Sequence, residues 1–482
     1  MYRKFYLSLV TLTVLAVSLC AQPLPLQAED RRGDAEDVQG SPVQFLSRYL
    51  QIPSVTGNEG TAGAFFADAC REAGLHVRVF SDRNDSYNFA ASLYPLDWGM
   101  PNVIFLTHID VVPEGDPAMW THPPYSGAVA DGMVWGRGAI DNKGHGVMQF
   151  YALKSFVEVA SAGKMPYNFT LLAVSNEEEM GSLGAEYVVN NYLQELNPVA
   201  VYGEGGAGTK GVVVADTSLV VFGIETVQKR VLWFQLETNS SAGGHGSIPT
   251  RKCPTREIVL ATNALIKHKP NMVLTPTVRN MLSELADHER GIRRLAMKNA
   301  GVFLPFTEGL YHRDELLASL LTNTLALTSI RSDQTAHNQI AQGATANFDS
   351  RLLPGVDAED FLSAIRKRIR RYNVNLVILQ HPEPAVVSDQ GHYYGAIEKA
   401  VTTIFPDAAV IPMLFPAVND NRFFRRHNIP TYGITPAILS HELLMTIHNF
   451  DERIPVKAVY DGIEVYKALI RTLIGTHGTD SI

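Results

Sequence analysis

Apolar and polar positions alternate along this chain in two different rhythms. Residues 42–50 and 61–73 repeat apolar side chains at three- and four-residue spacing, which predicts helices. Pro42 suits a first helical turn and Gly74 a helix end. Apolar runs predict strands at 76–80, 88–93 and 103–106, followed by a helix at 146–160, a strand at 169–174, a helix at 185–193 and a strand at 199–202. Strands and helices taken in turn predict an α/β sheet whose site lies at the strand ends. After about residue 226 the rhythm changes. Residues 231–237 alternate as a half-buried strand does, and the polar, Gly-rich turn SSAGGHGSIP follows. Helices are then predicted at 256–267 and 313–327, a strand at 345–348 and a basic helix at 358–371. From about residue 386 the first rhythm resumes, and it ends in a helix at 456–473. These changes predict an α+β domain at 227–384, inserted between two parts of an α/β domain at 42–226 and 385–476.

Composition narrows the class. A chain of 482 residues is too long for one ordinary core. Its hydrophobic share of 46% and charged share of 19% are those of a globular protein, and its net charge of −8 argues against nucleic acid as a partner. Arg3 and Lys4 precede an uncharged run at 5–19, with Ala21 and Ala28 beyond it, so residues 1–28 read as a signal peptide. The run is short of the roughly 20 apolar residues that span a bilayer. Export to a periplasm or to the medium is expected. Cys20 offers a lipoprotein alternative, which Leu19 just before it weakens. No later run is long enough to cross a membrane. Cys70 and Cys253 fall in different predicted domains and are expected to be unpaired. The basic run at 366–371 reads as a solvated helix face.

The candidate chemistry sits at the ends of the predicted strands. His108 and Asp110 close the 103–106 run on one side of the strand, and Asp141 follows a turn rich in glycine. Glu177, Glu178 and Glu179 follow the strand at 169–174, Glu204 stands in VYGEGG, and His448 in IHNFDERIP. Imidazoles and carboxylates at strand ends suit a hard or borderline divalent metal. Each piece alone has a plainer explanation: a satisfied histidine, an aspartate in a turn, glutamates at a helix start. Their joint occurrence points to a metal-dependent hydrolase. GEGGAG at 203–208 matches a dinucleotide pattern, but a Val-rich stretch follows it where a helix would have to open. His441 and Glu442 begin a zincin-like motif, but Met445 stands where its second histidine belongs.

The stretches THIDVVPEGDPAMWTHPPYSG, DGMVWGRGAIDNKG, SNEEEMGS, GGHGSIP, FDSRLLPG and IHNFDERIP occur in that order. They closely resemble the dizinc peptidases and amidohydrolases that include carboxypeptidase G, aminoacylase, acetylornithine deacetylase and carboxypeptidase S. The resemblance runs from about Pro42 to the end, and it looks strongest to the carboxypeptidase S and N-acyl amino acid hydrolase branch. It implies a zinc-peptidase catalytic domain with a mixed sheet flanked by helices, plus an inserted α+β lid of the dimerisation type and hence a homodimer through that lid. It also implies that Asp141 bridges two zinc ions, with cobalt or manganese as alternatives. His108 and Glu204 then complete one ion, and Glu179 and His448 the other. Glu178 is the implied general base, and Asp110 orients the His108 ring. The spacing to Gly181 favours this register; a register one step earlier makes Glu177 the base. A cis peptide after Asp141 is implied as well. His245 is the implied oxyanion contact, often supplied across a dimer interface, Arg351 the receiver of a substrate carboxylate, and Asn338 a polar aid. His145 and the residue after His245 depart from the family pattern. The implied reaction is hydrolysis of an amide or peptide bond next to a free carboxylate, in a small peptide or an N-acyl amino acid. A non-catalytic zinc-binding protein of the same fold is the alternative, disfavoured by a base beside the ligands.

Overall fold

The computed structural model describes residues 40–240, 243–248, 250, 253–311 and 315–476; the predicted signal segment at 1–28, with Cys20, lies outside them. Eight strands form a mixed sheet in the order His76–Arg83, Ser86–Ser92, Asn168–Val174, Asn102–His108, Pro198–Thr209, Thr431–Ile438, Val221–Gln228, Ala409–Phe415. The Asn102–His108 strand runs parallel to both of its neighbours. All of its residues are buried, as are those of Asn168–Val174. Continuous burial is the mark of strands covered on both faces.

Side-chain alternation assigns those two faces. Val103, Phe105, Phe169 and Leu171 enter one core with Val147 and Phe150 of the Lys143–Lys154 helix and Tyr466 of Val456–Thr476. Ile104, Leu106, Leu172 and Val174 enter another with Val188 of the Ala185–Leu196 helix and Phe423 and Phe424 of Asn421–Arg425. GEGGAG lies within the Pro198–Thr209 strand. A Cβ on Gly205 would stand 2.3 Å from the carbonyl carbon of Gly433, so glycine is there to admit a neighbouring strand.

The chain leaves this sheet after Gln228 and enters a second sheet at Arg230. That sheet is antiparallel, in the order Thr324–Ser332, Gly343–Leu352, Arg230–Asn239, Asn375–Gln380. Burial alternates along Gly343–Leu352, as expected of a sheet covered on one face. Ile258 and Leu265 of the Pro254–Ile266 helix and Ile365 of Ala358–Ile369 pack there against Phe234, Leu236 and Phe348. The molecule is thus an α/β domain with a mixed sheet flanked by helices, plus an α+β lid.

Two expectations are corrected. The predicted helix at 313–327 is a shorter helix, Glu315–Leu321, followed by the strand Thr324–Ser332, because pairing with Gly343–Leu352 captures its last four residues. The predicted helix at 146–160 is two helices, Lys143–Lys154 and Val157–Ala162, separated by Ser155 and Phe156. Within the inserted stretch, the Pro276–Leu285 helix packs through Val278 and Leu282 on Ile411 and Leu414 of the catalytic sheet's edge strand. Among the described residues Cys70 and Cys253 are both unpaired.

Candidate active site

The Asn102–His108 strand delivers a buried imidazole at its end. His108 Nδ1 lies 2.9 Å from the Asp110 carbonyl oxygen, and Nε2 lies 3.0 Å from Asp141 Oδ1 and 3.5 Å from Glu204 Oε2. Asp110 is fully buried and does two jobs. Its Oδ1 lies 3.5 Å from His108 Nδ1. It also accepts from Thr56 Oγ1 at 2.9 Å and from the backbone N–H groups of Glu177 and Glu178 at 3.1 Å each. A carboxylate so placed fixes both the ring and the glutamate turn beside it.

Asp141 precedes a cis peptide to Asn142. Its two oxygens face opposite partners: Oδ1 meets His108, and Oδ2 lies 3.1 Å from His448 Nε2. Asn142 Nδ2 donates to Glu204 Oε2, while its Oδ1 accepts from Thr107 Oγ1. The Glu204 carbonyl accepts from Asn419 Nδ2 at 3.1 Å and Asn421 Nδ2 at 2.9 Å, which pins this stretch of strand from the opposite side.

The glutamate triplet forms a 3₁₀ turn, Glu177–Glu179, flanked by Asn176 and Met180 at φ of 63° and 76°. Glu178 is the residue that meets His448, with Oε2 3.1 Å from Nε2. Glu179 is exposed and joins no group of metal-ligating atoms among the described residues. Glu177 stands beside the cluster, with a carboxylate oxygen within 4.8 Å of ligand atoms of His108 and Glu178. The structure thus brings Glu177 and Glu178 to the cluster, where the expected register placed Glu178 and Glu179. A 3₁₀ turn spaces successive side chains about 120° apart, so three in a row cannot all face inward. Asp110 holds the N–H groups of Glu177 and Glu178, and so decides which two do.

The lid residues are elsewhere. His245 lies on an exposed two-stranded ribbon, Gly244–His245 with Gln339–Ile340, where its Nδ1 is 2.7 Å from Ser247 Oγ and its Nε2 is 3.1 Å from Asn338 Nδ2. The structure joins His245 to Asn338, and joins neither to the His108 cluster. Arg351 gives both arms of its fork to Asp349, Nε to Oδ1 and Nη2 to Oδ2 at 2.8 Å each. His145 joins no ligand group among the described residues: its Nδ1 is 3.3 Å from Asn142 Oδ1 and its Nε2 2.6 Å from Tyr466 Oη, and burial pushes its pKa down to about 3.

Electrostatics show what this cluster lacks. Burial and the neighbouring Asp141 push Glu178 up to about 7 and raise Glu204, and burial with Glu204 raises Glu177 well above the carboxylate range. For Asp141 burial works against the charge, but His108 and His448 outweigh it and hold its pKa below the usual range. Asp141 and Glu178 in turn push His448 up to about 10. Crowded buried carboxylates are short of positive charge, which a divalent ion supplies. The residues present fit one on each side of Asp141. Ligand atoms of His108, Asp141 and Glu204 lie within 4.8 Å of one another, as do those of Asp141, Glu178 and His448.

Some residues around the cluster gave no signal in the sequence. Asn142 reads as a turn residue. Asp420, buried beside the cluster with both oxygens unpartnered and pushed up to about 7 by burial, sits in an unremarkable loop. Glu452 is fully buried and accepts four donors: Gly138 N and Arg137 Nη1 on Oε2, Ile140 N and Asp141 N on Oε1, at 2.8 to 3.0 Å. Only its position near His448 could have drawn attention to it.

A lidded α/β sheet that gathers imidazoles and carboxylates at its strand ends defines a metallohydrolase. The chain belongs to peptidase family M20/M25/M40, whose sequence profile matches residues 104–472. It is 26% identical over 403 residues to a probable carboxypeptidase S-like 2 of Dictyostelium discoideum, covering 82% of this chain and 76% of that one. It is 25% identical over 453 residues to the N-fatty-acyl-amino acid synthase/hydrolase PM20D1 of Xenopus tropicalis, covering 91% of this chain and 86% of that one. Its fold matches the M20 family metallo-carboxypeptidase Sso-CP2 from Sulfolobus solfataricus with a TM-score of 0.70 at 16% identity, over 90% of this chain and 99% of that one.

Proposed function

We propose that this protein is an exported two-metal hydrolase that cleaves the amide bond of N-acyl amino acids or short peptides next to a free carboxylate. The observation that carries the reading is the Asp141 carboxylate, shared between His108 and His448 with Glu204 and Glu178 outside them. His108, Asp141 and Glu204 would hold one ion, and Asp141, Glu178 and His448 the other. Imidazole and carboxylate donors suit zinc, and cobalt or manganese accepts the same set. When bound, such a pair polarises the scissile carbonyl and lowers the pKa of water.

The chain's own groups do the rest. Glu177 is the general base in this reading: it is not needed as a ligand, and burial and Glu204 raise its affinity for a proton. It takes the proton of the attacking water and passes it to the leaving nitrogen. Asp110 keeps the His108 ring oriented and the Glu177–Glu178 backbone in place. His245 and Asn338 travel together on the exposed lid ribbon, and contact the developing oxyanion when a lid, from this chain or from a second copy, covers the site. Arg351 receives the substrate carboxylate by exchanging Asp349 for it.

The named activities of the relatives support the substrate class, and the pattern of residues 1–28 supports export. Among the described residues no helix is long and apolar enough to cross a membrane. The test is a panel of N-acyl amino acids and dipeptides offered to the purified protein before chelation, after chelation and after adding zinc. Hydrolysis should vanish and return. Full turnover by metal-free protein would overturn the reading.

A further inference from the structure

Two of the candidate ligands, Asp141 and His448, stand in separate turns, and one buried residue joins those turns. Asp141 ends the turn at 136–141, while His448 stands in a turn in which both it and Asp451 have φ of 60°. Glu452 follows directly, and then Arg453–Pro455 pairs antiparallel with Met133–Trp135. All four groups donating to the Glu452 carboxylate come from residues 137–141, and the Glu452 carbonyl accepts from Gly136 N at 2.9 Å. One of the four is the N–H of Asp141 itself, at 3.0 Å. The fourth, Arg137, is also buried, with its guanidinium 5.1 Å from the Trp120 ring centre.

We infer that Glu452 is a positioning residue that locks the turn bearing Asp141 to the turn bearing His448, so that both metal ions depend on it. The physical case rests on what each contact can do. In a largely buried turn, unpaired N–H groups are costly, and Glu452 satisfies three of them. A carboxylate with two oxygens can accept all of them at once, whereas an amide presents one acceptor oxygen and two donor hydrogens. The buried pair with Arg137 explains little by itself, because desolvation offsets much of a buried pair's attraction. Geometry is what the arrangement specifies. If Asp141 shifts, both of its oxygens leave their partners together.

The inference rests on the two-metal reading, and the two can fail separately. The experiment measures zinc affinity by competition with a colorimetric chelator, alongside thermal melting of the metal-free protein, for wild type, Glu452→Gln and Arg137→Met. Glu452→Gln should weaken both ions by about 10- to 100-fold, the usual scale for a group that orients ligands. Arg137→Met, which leaves the three backbone contacts, should melt lower yet weaken zinc less than about threefold. By contrast Glu178→Gln should weaken one ion only. If Glu452→Gln does not fold, Glu452→Asp replaces it: the charge stays, the reach shortens by one methylene, and both affinities should still fall. Wild-type zinc affinity in the Glu452 variant, or an equal loss in Arg137→Met, overturns the inference and leaves Glu452 a merely structural residue. A wild-type protein that binds no zinc would instead sink the two-metal reading itself.

Discussion

Glu177, Glu178 and Glu179 are chemically identical, so the sequence holds no phase that tells them apart. The spacing to Gly181 suggests a register, but Asn176 and Met180 at positive φ and the grip of Asp110 on two N–H groups set it. His108, Asp141, Glu204 and His448 come together in the structure, and each stands in the sequence with no identical neighbour to be confused with. Arg351 poses a different question at the same scale. Its fork is occupied by Asp349, and both side chains are about three-quarters buried, at 27% and 24% exposure. As a surface bridge alone the pair would contribute little. As a receiver of carboxylate the fork offers two parallel hydrogen bonds that lysine cannot reproduce. Arg351→Lys is therefore expected to lower kcat/KM by at least about tenfold, or ~1.4 kcal/mol of transition-state stabilisation. Amidating the substrate should cost the wild type as much or more, and the variant should distinguish the two substrates less well. Equal discrimination by both enzymes would assign Arg351 to Asp349 alone.

The Lys143–Lys154 helix shows how an element serves a site it does not touch directly. Lys143 gives its ammonium to the carbonyls of Tyr49 and Ile52, at 3.2 and 2.6 Å, anchoring the helix start beside Asn142. His145 and Gln149 share the Tyr466 hydroxyl, tying the helix to Val456–Thr476. Burial holds His145 neutral, with its pKa pushed from 6.5 down to about 3. The unfolded chain thus binds a proton that the folded chain refuses, and this contribution to stability falls as pH drops through the window from 6.5 to about 3. At pH 5 the penalty is on the order of 2 kcal/mol. His145→Gln, which can still reach Tyr466, is expected to melt with a shallower acid dependence than wild type over that window; parallel curves would mean that His145 is not held neutral. Elements with a single periodicity were legible. The leucines of LLASLLTNTLALT satisfy helical and strand spacing alike, and only the distant Gly343–Leu352 strand decides where one gives way to the other.

For the whole molecule, the insertion was legible because burial changes period. The central strands Asn102–His108 and Asn168–Val174 of the catalytic sheet are buried throughout and read as continuous apolar runs, while the lid strand Gly343–Leu352 alternates. That the Pro276–Leu285 helix crosses back to cover the edge strand was not legible, since an amphipathic helix does not name the surface it packs on. The site lies between segments far apart in the chain, so metal binding couples to the fold: Asp141, Glu204 and His448 meet only in the folded state. Zinc at about 100 times its dissociation constant should stabilise the protein by about 2.7 kcal/mol, read as a rising melting temperature on titration. No shift would mean that the ligands do not act together.

In the proposed reading Glu178 would be a ligand and Glu177 the base, with Asp141 shared between the two ions. Metal content and turnover of Glu177→Gln and Glu178→Gln, measured on the same preparations, test it most directly. The expected result is that Glu177→Gln keeps about two ions per chain and loses at least about a hundredfold in turnover, the scale of a lost general base. Glu178→Gln should keep about one ion. The contrary result is Glu178→Gln inactive with both ions bound while Glu177→Gln remains active, which would return the base to Glu178.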